Sequence, residues 1–176
     1  MIVRRAILAA ALSLAAMPAC AMTLKSSDVT EGVYFPVAEI CARYGGSDVS
    51  PALSWSGAPQ GTKSFAVTMF DPDAQGDGWW HWLVVNIPAN ANGLAQGAGR
   101  GALPEGAVGL QNSSGNARYD GPCPPKGSGL HHYQITLWAL GDTQVPLNPA
   151  GEPAAAGDWL QQHSIGMTRI TPVYAK

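Results

Sequence analysis

Charged residues are scarce in this chain of 176 residues. Asp, Glu, Lys and Arg make up 12% of it, about half the share of an average globular protein, so long exposed helices held by ion pairs are not expected. With 10 basic and 12 acidic residues, the chain lacks the basic surface that nucleic acid or anionic lipid requires. The 21 glycines and 14 prolines favour strands, turns and irregular loops, and the length suits a single domain.

The first 21 residues have the pattern of a secretory signal peptide. Two arginines precede an apolar run over residues 6–16, and the small residues 19–21 follow a proline. Since this run is too short to cross a bilayer, no stable membrane insertion is expected. Lipidation of Cys20 is the alternative, although the residues before it match a lipobox poorly. We predict a signal peptide at 1–21, a domain at 22–176 and a periplasmic or secreted location.

Only two cysteines, Cys41 and Cys123, remain after residue 21. In an exported protein they can form one disulfide, which would close a loop of about 80 residues and stabilise the fold by roughly 4 kcal/mol. The alternative is two separate buried thiols, because the separation of their Cα atoms is not given by the sequence.

The apolar pattern predicts a mostly β domain. Three segments, 64–70, 81–87 and 131–140, are rich in β-branched and aromatic residues and are expected to form the core strands. Residues 88–126 are rich in glycine and predict a loop system that forms a cavity wall. One helix is expected at 153–163, with a proline at its first position and Trp159 and Leu160 on its inward side.

Polar side chains occur where these predicted strands begin or end. Asp71 and Asp73 follow the first strand, and His81 opens the second within a run of tryptophans. His131 and Tyr133 open the third and share one face, because side chains alternate along a strand. If the strands are neighbours, these groups converge on one cavity at the sheet edge, as in a small-ligand site.

Five motifs in this order resemble the phosphatidylethanolamine-binding protein family, and in particular its bacterial Raf kinase inhibitor-like branch. They are Asp71-Pro72-Asp73-Ala74, Trp80-His81-Trp82, Leu103-Pro104-Glu105-Gly106-Ala107, Tyr119-Asp120-Gly121-Pro122-Cys123-Pro124-Pro125 and Gly129-Leu130-His131-His132-Tyr133. The segment Ser50-Pro51-Ala52-Leu53-Ser54-Trp55 also fits that branch. The resemblance implies two antiparallel sheets in a sandwich-like arrangement, with a small anion pocket at one end.

The resemblance also implies which residues form the pocket. Five positions match those of the family's ligand site, and two prolines stand in its proline-rich wall: Asp71, Asp73, His81, His131 and Tyr133, with Pro122 and Pro124. Two residues depart from the family pattern. His132 stands where eukaryotic members often have arginine, and Gln75 stands where many members have proline.

These observations predict a protein that binds a small phosphorylated or carboxylated ligand, with no cofactor and no catalysis. A carboxylate on one imidazole nitrogen would favour the imidazolium and leave the other N–H for the ligand. The main alternative is a secreted interaction or inhibitor module acting on a kinase, protease or host partner. A hydrolase is less well supported because no Gly-x-Ser-x-Gly elbow occurs, and a metal site of Asp71, His81 and His131 lacks a known zinc spacing.

Overall fold

The computed structural model describes residues 21–176. All but the last residue of the predicted signal peptide therefore lie outside the described part of the chain. The described residues form ten strands and one α-helix in this order: β1 (Thr23–Lys25), β2 (Leu53–Ser56), β3 (Ser64–Asp71), β4 (Trp79–Pro88), β5 (Gly93–Leu94), β6 (Val108–Gly109), β7 (His131–His132), β8 (Gln134–Leu140), α1 (Pro153–His163), β9 (Ser164–Ile170) and β10 (Val173–Tyr174).

The strands form two main sheets and one short pair. Five strands in the order β6-β4-β3-β8-β9 make the large sheet, and β1-β2-β5 make a small one. All pairs within these sheets are antiparallel, and β7 pairs separately with β10. The predicted mostly β class with a short C-terminal helix is confirmed, and the third, two-stranded sheet was not foreseen.

Strand β3 lies at the centre of the large sheet because both of its faces are apolar. Phe65, Val67 and Met69 pack into the core between the two main sheets, together with Trp55 of the small sheet. Ala66 faces the opposite way, into a second core. A strand buried on both faces shows a continuous apolar run instead of alternation, which is what residues 64–70 display.

The second core lies between the large sheet and α1, whose predicted bounds are confirmed. Leu160 is fully buried in this core, and the partly exposed Trp159 packs against the edge of the core. Gly157 is required at mid-helix because Trp80 lies so close that a Cβ at this position would be 2.2 Å from its Cη2 atom.

The predicted strand 131–140 is interrupted, and this corrects the sequence prediction. Tyr133 belongs to neither strand, and its N–H donates to Pro172 O at 2.9 Å. On one side of it His132 pairs with Val173, and on the other side Gln134 pairs with Phe70. The chain therefore leaves one sheet and enters another at Tyr133. Composition alone cannot reveal this change, because both halves have strand-forming residues.

The glycine-rich segment 88–126 forms mainly turns and loops, with β5 and β6 as its two short strands. Its end is fixed by a disulfide between Cys41 and Cys123, with an S–S distance of 2.06 Å and a Cα–Cα distance of 5.4 Å. The backbone N–H of Cys41 also donates to Pro122 O at 3.1 Å. The disulfide thus holds the proline-rich segment against residues 41–44.

Replacing Gly157 with Ala tests the contact between α1 and Trp80. Helix propensity alone predicts a gain of about 1 kcal/mol, whereas overpacking against the indole predicts a loss of about 2 kcal/mol in the free energy of unfolding. We expect the loss in urea denaturation, with the exposed Ala155→Gly variant measuring the propensity effect at a neighbouring position. A stabilised Gly157→Ala protein would contradict this packing.

Candidate functional site

A cavity of about 650 Å³ lies where β3 ends and where β4 and β8 begin. This volume is within the range of small-molecule sites. Its lining includes six of the seven predicted site residues: Asp71, Asp73, His81, Pro124, His131 and Tyr133. The seventh, Pro122, lies buried behind the wall and is not among the lining residues. The antiparallel order of the large sheet explains this convergence, because the end of β3 meets the starts of both neighbours.

The most buried polar contact of the site joins Asp71 to His131. Nδ1 of His131 lies 2.7 Å from Oδ2 of Asp71, and the two side chains are only 3% and 4% exposed. The other carboxylate oxygen of Asp71 accepts the N–H of Asp73 at 2.9 Å. This pairing fixes the orientation of the imidazole ring and links the end of β3 to β7.

The second nitrogen of His131 also has a partner within the protein. Nε2 lies 2.9 Å from Oγ of Ser128, and that oxygen donates a hydrogen bond to Pro125 O at 2.8 Å. A serine hydroxyl has one proton, so Nε2 donates to Oγ when that proton lies toward Pro125 O and accepts from Oγ when it lies toward the ring. Ser128 occupies the position at which a ligand atom was expected from the sequence.

His81 reaches the cavity through a β-bulge. In the register of β3 and β4, Met69 pairs with Trp82 and Phe70 pairs with Trp80, so His81 is the extra residue. The bulge turns His81 and Trp82 toward the same side of the sheet, which strict alternation would not allow. Trp80 lies on the opposite face beside α1, so the tryptophans do not surround the imidazole as the sequence suggested.

His81 is buried and is held in one tautomer. Its Nδ1 lies 2.8 Å from the backbone carbonyl of Asp120, which can only accept a hydrogen bond. Burial lowers the pKa of His81 below its ordinary value, because the charged form loses hydration. At neutral pH the ring is therefore neutral, with Nδ1 protonated and Nε2 as an acceptor.

Tyr133 carries the only buried hydroxyl without a partner among residues 21–176. The side chain is fully buried and packs edge-to-face against the rings of His81 and Phe35, at 5.2 Å and 5.5 Å between centroids. Burial, and then the nearby carboxylate of Asp71, raise the pKa of this phenol well above its ordinary value. The hydroxyl thus remains a hydrogen-bond donor at every physiological pH.

Asp73 and His132 form a more exposed pair at the rim. Oδ2 of Asp73 accepts both the backbone N–H and Nδ1 of His132, each at 2.8 Å. Partial burial opposes ionisation of Asp73, but these hydrogen bonds outweigh it and hold the pKa of Asp73 below its ordinary value. His132 itself faces outward and is not among the residues that line the cavity. Gln75, two residues after Asp73, does line it.

An ionic cluster in the opposite wall of the cavity was not predicted from the sequence. Nη2 of Arg100 lies 3.4 Å from Asp48 and 3.3 Å from Asp120, and its Nε donates to Tyr119 O at 3.0 Å. Asp48 also accepts the N–H of Gly121 at 2.8 Å and has a positive φ of 51°. These contacts position the carbonyl that holds His81. No spacing in the sequence connects residues 48, 100 and 120.

Glu39 is a second residue that the sequence did not single out. It is 1% exposed, and neither carboxylate oxygen has a hydrogen-bond partner in the part of the chain that the structure describes. Its backbone oxygen accepts the hydroxyl proton of Tyr119 at 3.1 Å. Gly121 approaches this carbonyl so closely that a Cβ there would lie 2.2 Å from it. Burial, and then the charge of Asp28, raise the pKa of Glu39 from 4.5 to about 7.

No helix among residues 21–176 is both long and apolar enough to cross a membrane. In the same residues, no three His, Cys, Asp or Glu side chains are grouped as ligands for a metal ion.

The fold and the cavity together define a class: a mostly β binding domain with a cavity at the ends of its central strands. Residues 25–175 match the phosphatidylethanolamine-binding protein family, and the chain belongs to that family. The resemblance seen in the five motifs is therefore confirmed.

Two relatives from Escherichia coli strain K12 extend this match over most of the chain. The UPF0098 protein YbcL is 44% identical over 162 residues, covering 89% of this chain and 88% of the relative. The UPF0098 protein YbhB is 39% identical over 159 residues, covering 88% of this chain and 100% of the relative. The crystal structure of E. coli YbcL, described as a new member of the mammalian PEBP family, superposes with a TM-score of 0.85 at 42% identity, covering 89% of this chain and 99% of that one.

The buried carboxyl of Glu39 predicts a pH-dependent stability. Because its pKa in the folded protein exceeds the ordinary value, its stabilising contribution is complete below about pH 4.5 and is lost as pH rises to about 7. The loss amounts to about 3 kcal/mol. The free energy of unfolding of Glu39→Gln, measured by urea titration, should not show this decline with pH, whereas that of the natural protein should. Parallel stability profiles of the two proteins would contradict the assignment.

Proposed function

We propose that the protein is exported and binds a small phosphorylated or carboxylated ligand in this cavity. The observation that carries the proposal is the buried hydroxyl of Tyr133, a residue of the cavity lining, which has no hydrogen-bond partner among residues 21–176. Buried polar groups are nearly always hydrogen-bonded, so an unpartnered donor in a cavity indicates a ligand acceptor. An oxyanion is the strongest such acceptor for a phenol that stays protonated.

The carboxylates that line the cavity do not prevent anion binding, because each is paired with a cationic or ring N–H group. Asp71 pairs with His131, and Asp73 pairs with His132. Asp48 and Asp120 share the guanidinium of Arg100. Among residues 21–176, the Tyr133 hydroxyl is a donor of the cavity lining that these pairs do not engage.

A second donor becomes available if the ligand replaces Ser128. The Ser128 side chain is exposed at the mouth of the cavity, and its Oγ makes the 2.9 Å contact with Nε2 of His131. A ligand oxygen in that place would receive a hydrogen bond from a protonated imidazole, which is stronger than the bond to a neutral hydroxyl. Tyr133 and His131 would then bind two oxygens of one phosphoryl or carboxyl group.

Two observations support export. The first 21 residues have the signal-peptide pattern. The Cys41–Cys123 disulfide is of the kind that persists in oxidising compartments such as the periplasm.

A secreted interaction module is the second candidate function. Val33, Tyr34 and Val37 are 52%, 56% and 66% exposed, so three large apolar side chains face solvent within one short segment. Exposed apolar surface of this kind is typical of protein-binding sites. A kinase, protease or host protein would be the partner in this case.

The Tyr133→Phe variant tests whether the hydroxyl of Tyr133 binds the ligand. Removing the hydroxyl should weaken binding of diethyl phosphate about tenfold in titration calorimetry, because a hydrogen bond to an anion contributes roughly 1.5 kcal/mol or more. The free energy of unfolding should stay the same or rise, since no protein group loses a partner. Tyr119→Phe is the matched control: its hydroxyl bonds Glu39 O, so we expect lower stability with unchanged affinity. Unchanged affinity in Tyr133→Phe would contradict the proposal.

The lowered pKa of His81 predicts how binding depends on pH. As pH falls through that pKa, Nε2 changes from an acceptor, which repels a ligand oxygen, to a donor. Diethyl phosphate remains a monoanion, so its affinity should be higher at a pH well below the ordinary pKa of histidine than at about pH 7.5. His81→Gln should remove most of the rise. Equal affinities of the natural protein at the two pH values would contradict this role of His81.

A further inference from the structure

Ser128, His131 and Asp71 make the contacts of a nucleophile, a general base and an orienting carboxylate. Oγ of Ser128 lies 2.9 Å from Nε2 of His131, and Nδ1 of the same ring lies 2.7 Å from Oδ2 of Asp71. Both distances are within hydrogen-bond reach. Nε2 faces the serine and Nδ1 faces the carboxylate, which is the arrangement that activates a serine hydroxyl. Such a triad is recognised by its geometry, because its order along the chain differs between unrelated folds.

The exposure of the three side chains suits this chemistry. Asp71 and His131 are almost completely buried, which shields the base and its partner from water. Ser128 is exposed and lines the mouth of the cavity, where a substrate can reach its hydroxyl. The proton of that hydroxyl has two possible acceptors, Pro125 O at 2.8 Å and Nε2 of His131. In the reactive form the imidazole is neutral and Nε2 is the acceptor.

Ser128 is presented on a tight turn between two glycines. Gly127 and Gly129 have φ angles of 79° and 97°, which residues with a Cβ rarely adopt. The N–H of Gly127 donates to Lys176 O at 2.8 Å, which holds the turn against the C-terminal residue. A sharp turn that projects a serine hydroxyl is also how unrelated hydrolases expose their nucleophile, although the Gly-Ser-Gly sequence here differs from their elbow motif.

The same cavity also contains a hydrogen-bond donor that could stabilise an oxyanion. The hydroxyl of Tyr133 is buried, unpartnered in the described residues and held in its protonated form. A fixed donor that faces the site before the reaction can stabilise the negative charge that develops on a carbonyl oxygen.

We propose that Ser128 and His131 catalyse the hydrolysis of small carboxylic esters, with Asp71 as the positioning residue. Nε2 of His131 takes the proton of Ser128 as Oγ bonds to the ester carbonyl carbon, and the carbonyl oxygen becomes an oxyanion near Tyr133. The carbon–oxygen bond to the alcohol then breaks, and that alcohol leaves with the proton from His131. Water hydrolyses the acyl-serine by the same proton transfers and releases the acid. The proposal rests on the cavity admitting a ligand, as in the proposed function, but not on which anion it prefers.

A fluorophosphonate probe and p-nitrophenyl acetate test the proposal on the full domain. The probe forms a phosphonate ester with an activated serine by loss of fluoride, and peptide mass mapping should locate it on Ser128. Release of p-nitrophenol should fall about a hundredfold in Ser128→Ala, because the variant lacks the nucleophile that His131 activates and such positioned proton transfer contributes at least this factor. His163→Ala is the control for hydrolysis by exposed imidazoles: His163 lies on the surface at the end of α1, and its removal should not change the rate.

The two proposals fail in different ways. Ser128→Ala leaves His131 and Tyr133 in place, so binding of diethyl phosphate should be kept or strengthened while labelling and hydrolysis are lost. An unlabelled Ser128, or equal hydrolysis by the natural protein and Ser128→Ala, would overturn the triad and leave anion binding standing. Unchanged diethyl phosphate binding in Tyr133→Phe, with Ser128 still labelled in the natural protein, would contradict the anion site and leave the triad standing.

Discussion

The contact between Asp71 and His131 is the interaction on which the site depends. It joins the last residue of the central strand β3 to β7, a strand of a different sheet. Without His131 the buried carboxylate would keep only the N–H of Asp73 in exchange for its hydration, so the pair constrains where the chain can pass after Gly129. The same contact fixes the ring of His131, and thereby places Nε2 beside Ser128 and the phenol of Tyr133 deep in the cavity.

The opposite wall is held by covalent and ionic links instead of strands. The disulfide attaches the proline-rich segment to Cys41, and Arg100 joins Asp48 to Asp120. Asp120 in turn accepts the hydrogen bond of His81. Since the glycine-rich region contains only short strands, these links supply the rigidity that a binding cavity requires. The cavity is therefore rigid on one side through the sheet and on the other through cross-links.

The sequence predicted those parts of the structure that depend on local pattern or on the family motifs. Strand β3 and helix α1 were correctly predicted because a continuous apolar run and a terminal proline are local signals. The β-bulge at His81 and the sheet change at Tyr133 could not be predicted, since both depend on which strands become neighbours. Arg100 and Glu39 were missed for the same reason: their importance comes from burial and from partners far away in sequence. Ser128 stood next to the motif Gly129-Leu130-His131, but nothing in the sequence showed that its hydroxyl reaches the imidazole.

We infer that Tyr133 and His131 together bind one oxyanion, and a crystal structure with bound diethyl phosphate would show this pairing. We expect a phosphoryl oxygen at about 2.7 Å from the hydroxyl of Tyr133 and a second oxygen at Nε2 of His131 in place of Ser128. An anion bound elsewhere, with the Tyr133 hydroxyl still unpartnered and Ser128 still on His131, would contradict it.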